Sequence, residues 1–200
     1  MKGGANMSSY VLLNFFIYSI INAFTPGPGN ILALNTATNY GWKKGKPLFF
    51  GIFVGYYVVQ MICGVFVYGV SSLIPKALDI MKYIGALYIL WLAVHIAFSK
   101  PSSETVSKSA SFTKGFLLQF VNVKIYMFGI TALTGYVTEY STAFPVLFGF
   151  ELMIATFGTV ATLTWIGVGM LIQKFYMRHY RIINIILALT LFECIYSMLK

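Results

Sequence analysis

Apolar residues gather along this chain in six stretches, at about 10–38, 48–74, 83–99, 115–138, 146–172 and 182–199, separated by short charged or proline-bearing breaks. The stretch from Leu48 to Ile74 holds no Asp, Glu, Lys, Arg or His. A helix of that length crosses a hydrocarbon core of about 30 Å. The pattern therefore predicts an all-α integral membrane protein with about six transmembrane helices. The third and sixth stretches are the shortest, near the lower limit for a span, and Lys82, Lys100, Arg181 and Lys200 at their ends can reach up to the interface. Val11 to Phe24, preceded by Lys2, has the outline of a signal-peptide core. The apolar pattern resumes after a Pro-Gly cluster and runs to about Ala37, so a retained span is expected instead.

The polar segment Pro101-Ser102-Ser103-Glu104-Thr105 divides the chain into parts of about 1–100 and 108–200, with three apolar stretches in each. Three is odd, so the second part must sit inverted relative to the first. That is the arrangement of an inverted-repeat transporter, here within one transmembrane domain covering 1–200. The first helix of each part is also the irregular one. Helix one carries Thr25-Pro26-Gly27-Pro28-Gly29-Asn30 near its middle, and helix four carries Asn122-Val123-Lys124 at a similar depth. Interrupted helices at corresponding positions point to a central binding site.

Pro26 and Pro28 lack amide hydrogens, and their rings crowd the carbonyls four residues back, so no helix runs unbroken through them. Gly27 and Gly29 relax the backbone there. The carbonyls of about residues 22 to 24 lose their helical partners, which in hydrocarbon is tolerated only where protein or a wet cavity covers them. A kink serving packing alone would use the same residue types, but their density, with Asn30 following, favours a break that lines a ligand.

Lys124 lies about 15 Å inside helix four, near the midplane. From there it can attract a carboxylate or change its proton affinity. The competing possibility is a lysine neutralised by helix-end carbonyls with a structural task. Glu193 in helix six and Glu151 early in helix five are the candidates for pairing with Lys124 or carrying a coupling proton, although each is also near enough to a helix end to reach water. His95 is read as interfacial.

Composition agrees with the pattern: 58% of residues are apolar, 10% are charged and the mean hydropathy is +0.79. The net charge of +9 lies between apolar stretches, as membrane flanks, and predicts no nucleic-acid partner. Lys43, Lys44, Lys46, Lys100, Lys108, Lys114, Lys174, Arg178 and Arg181 follow helices one, three and five, against Lys2, Lys76, Lys82 and Lys200 on the other side. Nine against four puts those three loops in the cytoplasm and both termini outward. Cys63 and Cys194 read as buried free thiols. Tyr40, Trp42, Tyr176 and Tyr180 read as an interfacial aromatic belt. No His or Cys stands at metal-ligand spacing, so neither a metal nor a cofactor is expected. Ser71 and Ser72 form no G-x-S-x-G turn, and no nucleophile and base assemble into an enzyme site. No phosphate loop is present, so ATP is not the direct energy source.

These motifs resemble the LysE/RhtB family of amino-acid exporters. The family is similar in its T-P-G-P-x-N first-helix motif, in the Tyr40-Gly41-Trp42-Lys43-Lys44-Gly45 turn, and in the third-helix string from Tyr83 to Leu92. Its fourth-helix N-P-K is Asn122-Val123-Lys124 here, which leaves the extent of that interruption open. Leu118 to Lys124 and Asn184 to Leu189 look like the branch that exports cysteine and O-acetylserine. The resemblance implies a secondary exporter of small amino acids in a bacterial inner membrane, exchanging its cargo for protons. Thr25, Pro26, Gly27, Pro28, Gly29, Asn30, Asn122 and Lys124 are then the substrate-binding residues. A homo-oligomer is allowed for. A basic or threonine/homoserine-like cargo is the alternative within transport, and an integral-membrane enzyme the alternative outside it.

Overall fold

The computed structural model describes residues 7–69, 74–99 and 110–199, apart from the side chains of 74–79, 81, 82, 197 and 198. The Pro101–Thr105 segment, Ser71, Ser72, Lys2, Lys100, Lys108 and Lys200 lie outside the described residues, as do the side chains of Lys76 and Lys82. Seven α-helices occur among the described residues: α1 (Ser9–Phe24), α2 (Pro28–Gly69), α3 (Ile74–Ala97), α4 (Phe112–Val121), α5 (Val123–Ala132), α6 (Phe144–Leu171) and α7 (Gln173–Leu199). A π-helical turn, Leu133–Val137, continues α5. No strand occurs among the described residues.

The sequence explains where these helices stop and turn. Ser8 caps α1, its Oγ accepting from the Val11 amide at 3.3 Å. The helix ends at Thr25 because Pro26 and Pro28 follow. Pro28 then opens α2, at a position where its missing N–H leaves nothing unpaired. α2 breaks again at Gly41, whose φ of 67° suits glycine alone. Its two arms correspond to the end of the first apolar stretch and to the second as far as Gly69. α4 and α5 meet at Asn122 with a bend of 57°, so valine in the proline position does not restore a straight helix. α7 has a non-helical residue at His179, which separates its basic first arm from the apolar sixth stretch.

Pro28–Gly69, Phe144–Leu171 and Gln173–Tyr196 are long and apolar enough to cross a membrane, and the bent α4–α5 pair raises the number to four. Ser9–Phe24 and Tyr83–Ala97 are shorter apolar helices. The chain is an all-helical, multi-pass membrane protein.

At its centre stands the first arm of α2, buried on every side from Pro28 to Thr38, its polar Asn30, Asn35, Thr36 and Thr38 included. One core packs Ile31, Leu34, Leu48 and Ile52 of α2 against Ile89 and Leu92 of α3 and Leu187 and Leu191 of α7. A second joins Phe15 of α1, Val59 and Cys63 of α2, Phe128 of α5, and Ile154 and Ala155 of α6. Large apolar side chains such as Leu87 of α3 and Leu171 of α6 point outward, where lipid is their solvent. α2 and α4 cross at glycines, Gly51 and Gly55 on one helix and Gly115 on the other, and their backbones touch there. Cys63 and Cys194 are both free thiols, the first buried and the second half-buried.

Candidate functional site

The break between α1 and α2 strands several carbonyls, and each of four finds a side-chain donor. Ala23 O accepts from Asn30 Nδ2 at 3.0 Å. Phe24 O accepts from Trp165 Nε1 of α6 at 3.2 Å. Thr25 O and Pro26 O accept from Lys124 Nζ of α5, at 2.8 Å and 3.2 Å. Pro26 O also faces Cys194 Sγ of α7 at 3.9 Å. Asn30 is held in turn by Thr162 Oγ1, which donates to its Oδ1 at 2.9 Å. The requirement that backbone at membrane depth be covered is thus met by residues from α2, α5 and α6, not by lipid or by a continued helix.

The second break lies directly opposite. Asn122 ends α4 with φ −83° and ψ 81°, and its amide reaches back to Gln119 O at 3.4 Å. Its Nδ2 donates to Gln119 Oε1 at 3.4 Å, while its Oδ1 is buried without a partner among the described residues. Lys124, two residues on, crosses to the first break. The two interruptions therefore meet through one ammonium group.

Between them lies a cavity of about 20 Å³, lined by Asn22, Gly27, Gly29, Asn30, Tyr56, Gln119, Asn122, Lys124 and Thr162 among others. That is room for about one water. Bare backbone forms part of the wall. A Cβ on Gly27 would sit 3.0 Å from Lys124 Cδ, and one on Gly29 would sit 3.2 Å from Gln119 Nε2. Among the described residues no carboxylate lines this space, while an ammonium group, several amides and free carbonyl lone pairs do. Such a set suits a small zwitterion: cation for carboxylate, amide and carbonyl oxygens for ammonium.

Of the eight residues expected to bind substrate, Gly27, Gly29, Asn30, Asn122 and Lys124 line the cavity. Thr25 and Pro26 reach it only through the carbonyls that hold Lys124, and Pro28 lies behind it at the start of α2. The sequence reading missed Asn22, Tyr56, Gln119, Thr162 and Trp165. Gln119 and Asn22 had a signal, since a carboxamide inside an apolar stretch needs a partner. Gln119 stands three positions before Asn122, on the same face of its helix.

Three expectations need correction. Glu151 does not face Lys124, which has Cys194 and Glu193 as its charged or thiol neighbours. Glu151 is also not an interfacial group reaching water, being 0% exposed. Tyr176 is no belt residue: it is fully buried, and its hydroxyl accepts from Asn39 Nδ2 at 3.0 Å and donates to Asn184 Oδ1 at 2.9 Å. Asn184 continues to Ser99 O at 3.0 Å, so this tyrosine ties α2, α3 and α7 together. His95 is exposed and stacked on Trp91 with ring centroids 5.4 Å apart.

The family model described as LysE type translocator matches residues 20–194. The chain is 36% identical over 189 residues to the cysteine/O-acetylserine efflux proteins of Escherichia coli (strain K12) and Shigella flexneri, covering 94% of this chain and 97% of each relative. No solved structure matches it.

Proposed function

The chain belongs to the LysE-type translocator family, and from that premise we propose that it is a secondary active exporter of small neutral amino acids of the cysteine and O-acetylserine kind. The proposal places it in a bacterial inner membrane as a single domain of two inverted three-helix repeats, both termini outward, exchanging cargo for protons. The observation that carries it is the meeting of the two interrupted helices at Lys124, whose ammonium bonds Thr25 O and Pro26 O. Substrate carboxylate competes with those carbonyls for the ammonium. Once released, the carbonyls become acceptors for the substrate's own ammonium. The absence of a carboxylate from the lining leaves a cationic side chain without a counter-charge, which disfavours lysine or arginine. A cavity of about 20 Å³ admits no amino acid, so cargo enters only when helices part, as alternating access requires.

Purified protein in liposomes tests this directly. Labelled cysteine and O-acetylserine should be transported, and lysine not. Transport of lysine at the same rate would overturn the neutral-cargo assignment, and transport of no amino acid would overturn the export assignment.

The break itself makes a separate prediction. Pro26→Ala with Pro28→Ala restores two amides, and in a helix interior alanine is preferred by about 3 kcal/mol per site. Pro28, at the first position of α2, carries little of that cost, so the gain comes mainly at position 26. The double variant should melt no lower than wild type in detergent, while efflux falls about tenfold or more as the carbonyls close into helix. Unchanged efflux from the correctly inserted variant would make the break a packing kink.

A further inference from the structure

Three buried oxygen acceptors without a hydrogen-bond partner among the described residues come together beside Gly129 of α5. Both carboxyl oxygens of Glu151 and Oε1 of Gln60 have no hydrogen-bond partner among the described residues, and both residues are 0% exposed. The amide of Gln60 cannot simply flip, because its Nε2 donates to Ile125 O at 3.1 Å. Bare backbone holds the two side chains together. The Cβ position of Gly129 on α5 is 2.1 Å from Gln60 Oε1 and 3.2 Å from Glu151 Oε1, and that of Gly64 on α2 is 3.3 Å from Glu151 Cγ.

Among the described residues no cation compensates this carboxyl. The titratable groups facing Glu151 are Tyr56 and Cys63 of α2, and Tyr126 of α5 faces Cys63 in turn. None of them carries positive charge, and Lys124 is engaged beside Cys194 and Glu193. An ionised carboxylate left unpaired in such a place costs several kcal/mol. A second acceptor pointed at it adds repulsion. One proton removes both difficulties, because a carboxylic acid donates its O–H to the amide oxygen.

Resting on the export assignment, we infer that Glu151 and Gln60 form the coupling-ion site of this transporter. The Glu151 carboxyl binds one proton, donates it to Gln60 Oε1 in the closed arrangement described here, and releases it when the helices part and water reaches the pair. Tyr56 connects this site to the substrate cavity. It lines that cavity, stands one helical turn before Gln60, and its ring is pressed on α6, with Cζ 2.3 Å from the Cβ position of Gly158. Cargo that displaces Tyr56 therefore disturbs the proton's acceptor. Glu193, the other acidic candidate, is exposed and lies near Lys124, so it lacks the buried, cation-free surroundings that require a proton.

Infrared spectroscopy of the purified protein at neutral pH tests the site without transport. A protonated-carboxyl C=O band should be present in wild type, absent in Glu151→Gln and retained in Glu193→Gln. Gln60→Leu, which removes the acceptor but keeps the acid, should move the band to the frequency of a carboxyl without a hydrogen bond. That variant keeps the test decisive if Glu151→Gln does not insert. In liposomes, the ratio of pH-gradient-driven cysteine accumulation to cysteine–cysteine exchange should fall about tenfold or more in Glu151→Gln. A wild type without the band, a band that survives in Glu151→Gln, or accumulation driven by a sodium gradient in place of the pH gradient would overturn the inference. Loss of the band in Glu151→Gln, in a protein that moves no amino acid, would uphold the proton site and overturn the export assignment on which its coupling role rests.

Discussion

Efflux of cysteine should fall about a hundredfold in Lys124→Met, measured per inserted molecule in liposomes. A charge-assisted hydrogen bond contributes about 1.5–3 kcal/mol, and methionine keeps the length of the side chain while removing its ability to donate. The substrate carboxylate then has no cation, and a loss near the upper end of that range corresponds to two decades of affinity. Stability should suffer less: Thr25 O keeps Asn30 Nδ2 at 3.4 Å and Pro26 O keeps Cys194 Sγ at 3.9 Å, so about 1 kcal/mol is expected. Lys124→Arg separates charge from shape. It keeps the cation but must fit beside Gly27, whose Cβ position is already 3.0 Å from Lys124 Cδ, so efflux should be intermediate. Full efflux by Lys124→Met would reduce this residue to a cap on the broken helix.

Gly51→Val should melt well below the wild type. A Cβ at Gly51 would lie 2.1 Å from the backbone oxygen of Phe112, and one at Gly115 would lie 2.2 Å from Leu48 O. These neighbours are main chain within helices and cannot turn aside as a side-chain tip can. Relief requires α2 and α4 to separate, and those helices carry Asn30 and Tyr56 on one side and Gln119 and Asn122 on the other into the cavity wall. Overpacking costs about 1–3 kcal/mol and more where backbone is met. At the upper end that lowers the melting temperature by about 6–12 °C in a chain of this size. Gly149→Ala supplies the contrast. Nothing lies within 4 Å of its Cβ position, and alanine is the better helix former by about 0.5–1 kcal/mol, so its melting temperature should hold or rise. Equal melting curves for wild type and Gly51→Val in detergent would show that the crossing is looser than these distances require.

The cavity was partly legible because of what membranes forbid. Pro26 and Pro28 inside an apolar stretch must leave carbonyls without helical partners, and Lys124 inside another must find acceptors. Each residue announces half of an interaction, and the structure joins the halves. Asn30, by contrast, was legible only as a polar neighbour of the break. That it turns back to cap Ala23 O and is itself held by Thr162 depends on α6, more than a hundred residues away. Trp165 gave no signal, since an indole in an apolar helix looks like any other large apolar side chain until its N–H is seen on Phe24 O. Tyr176 misled for the related reason that tyrosine beside basic residues near a helix end matches an interfacial anchor. Only the fold of α7 over Asn39 shows that it is buried.

The sequence by itself determined the class of the molecule, the points where its helices break and the chemistry available at those points, because these follow from local rules. Apolar length against bilayer thickness, the missing amide of proline, the positive φ of glycine at Gly41 and the cost of a charge in hydrocarbon all act within a few residues. Tertiary structure alone decided which partners those local needs received. It brought Lys124 to the carbonyls of Thr25 and Pro26, placed Glu193 beside it, and set Glu151 apart, facing Gln60 across the bare backbone of Gly129. The physical reason is that an unsatisfied carbonyl or carboxyl states a demand without direction, and many donors along an apolar chain could meet it. The choice among them is made by how the helices pack.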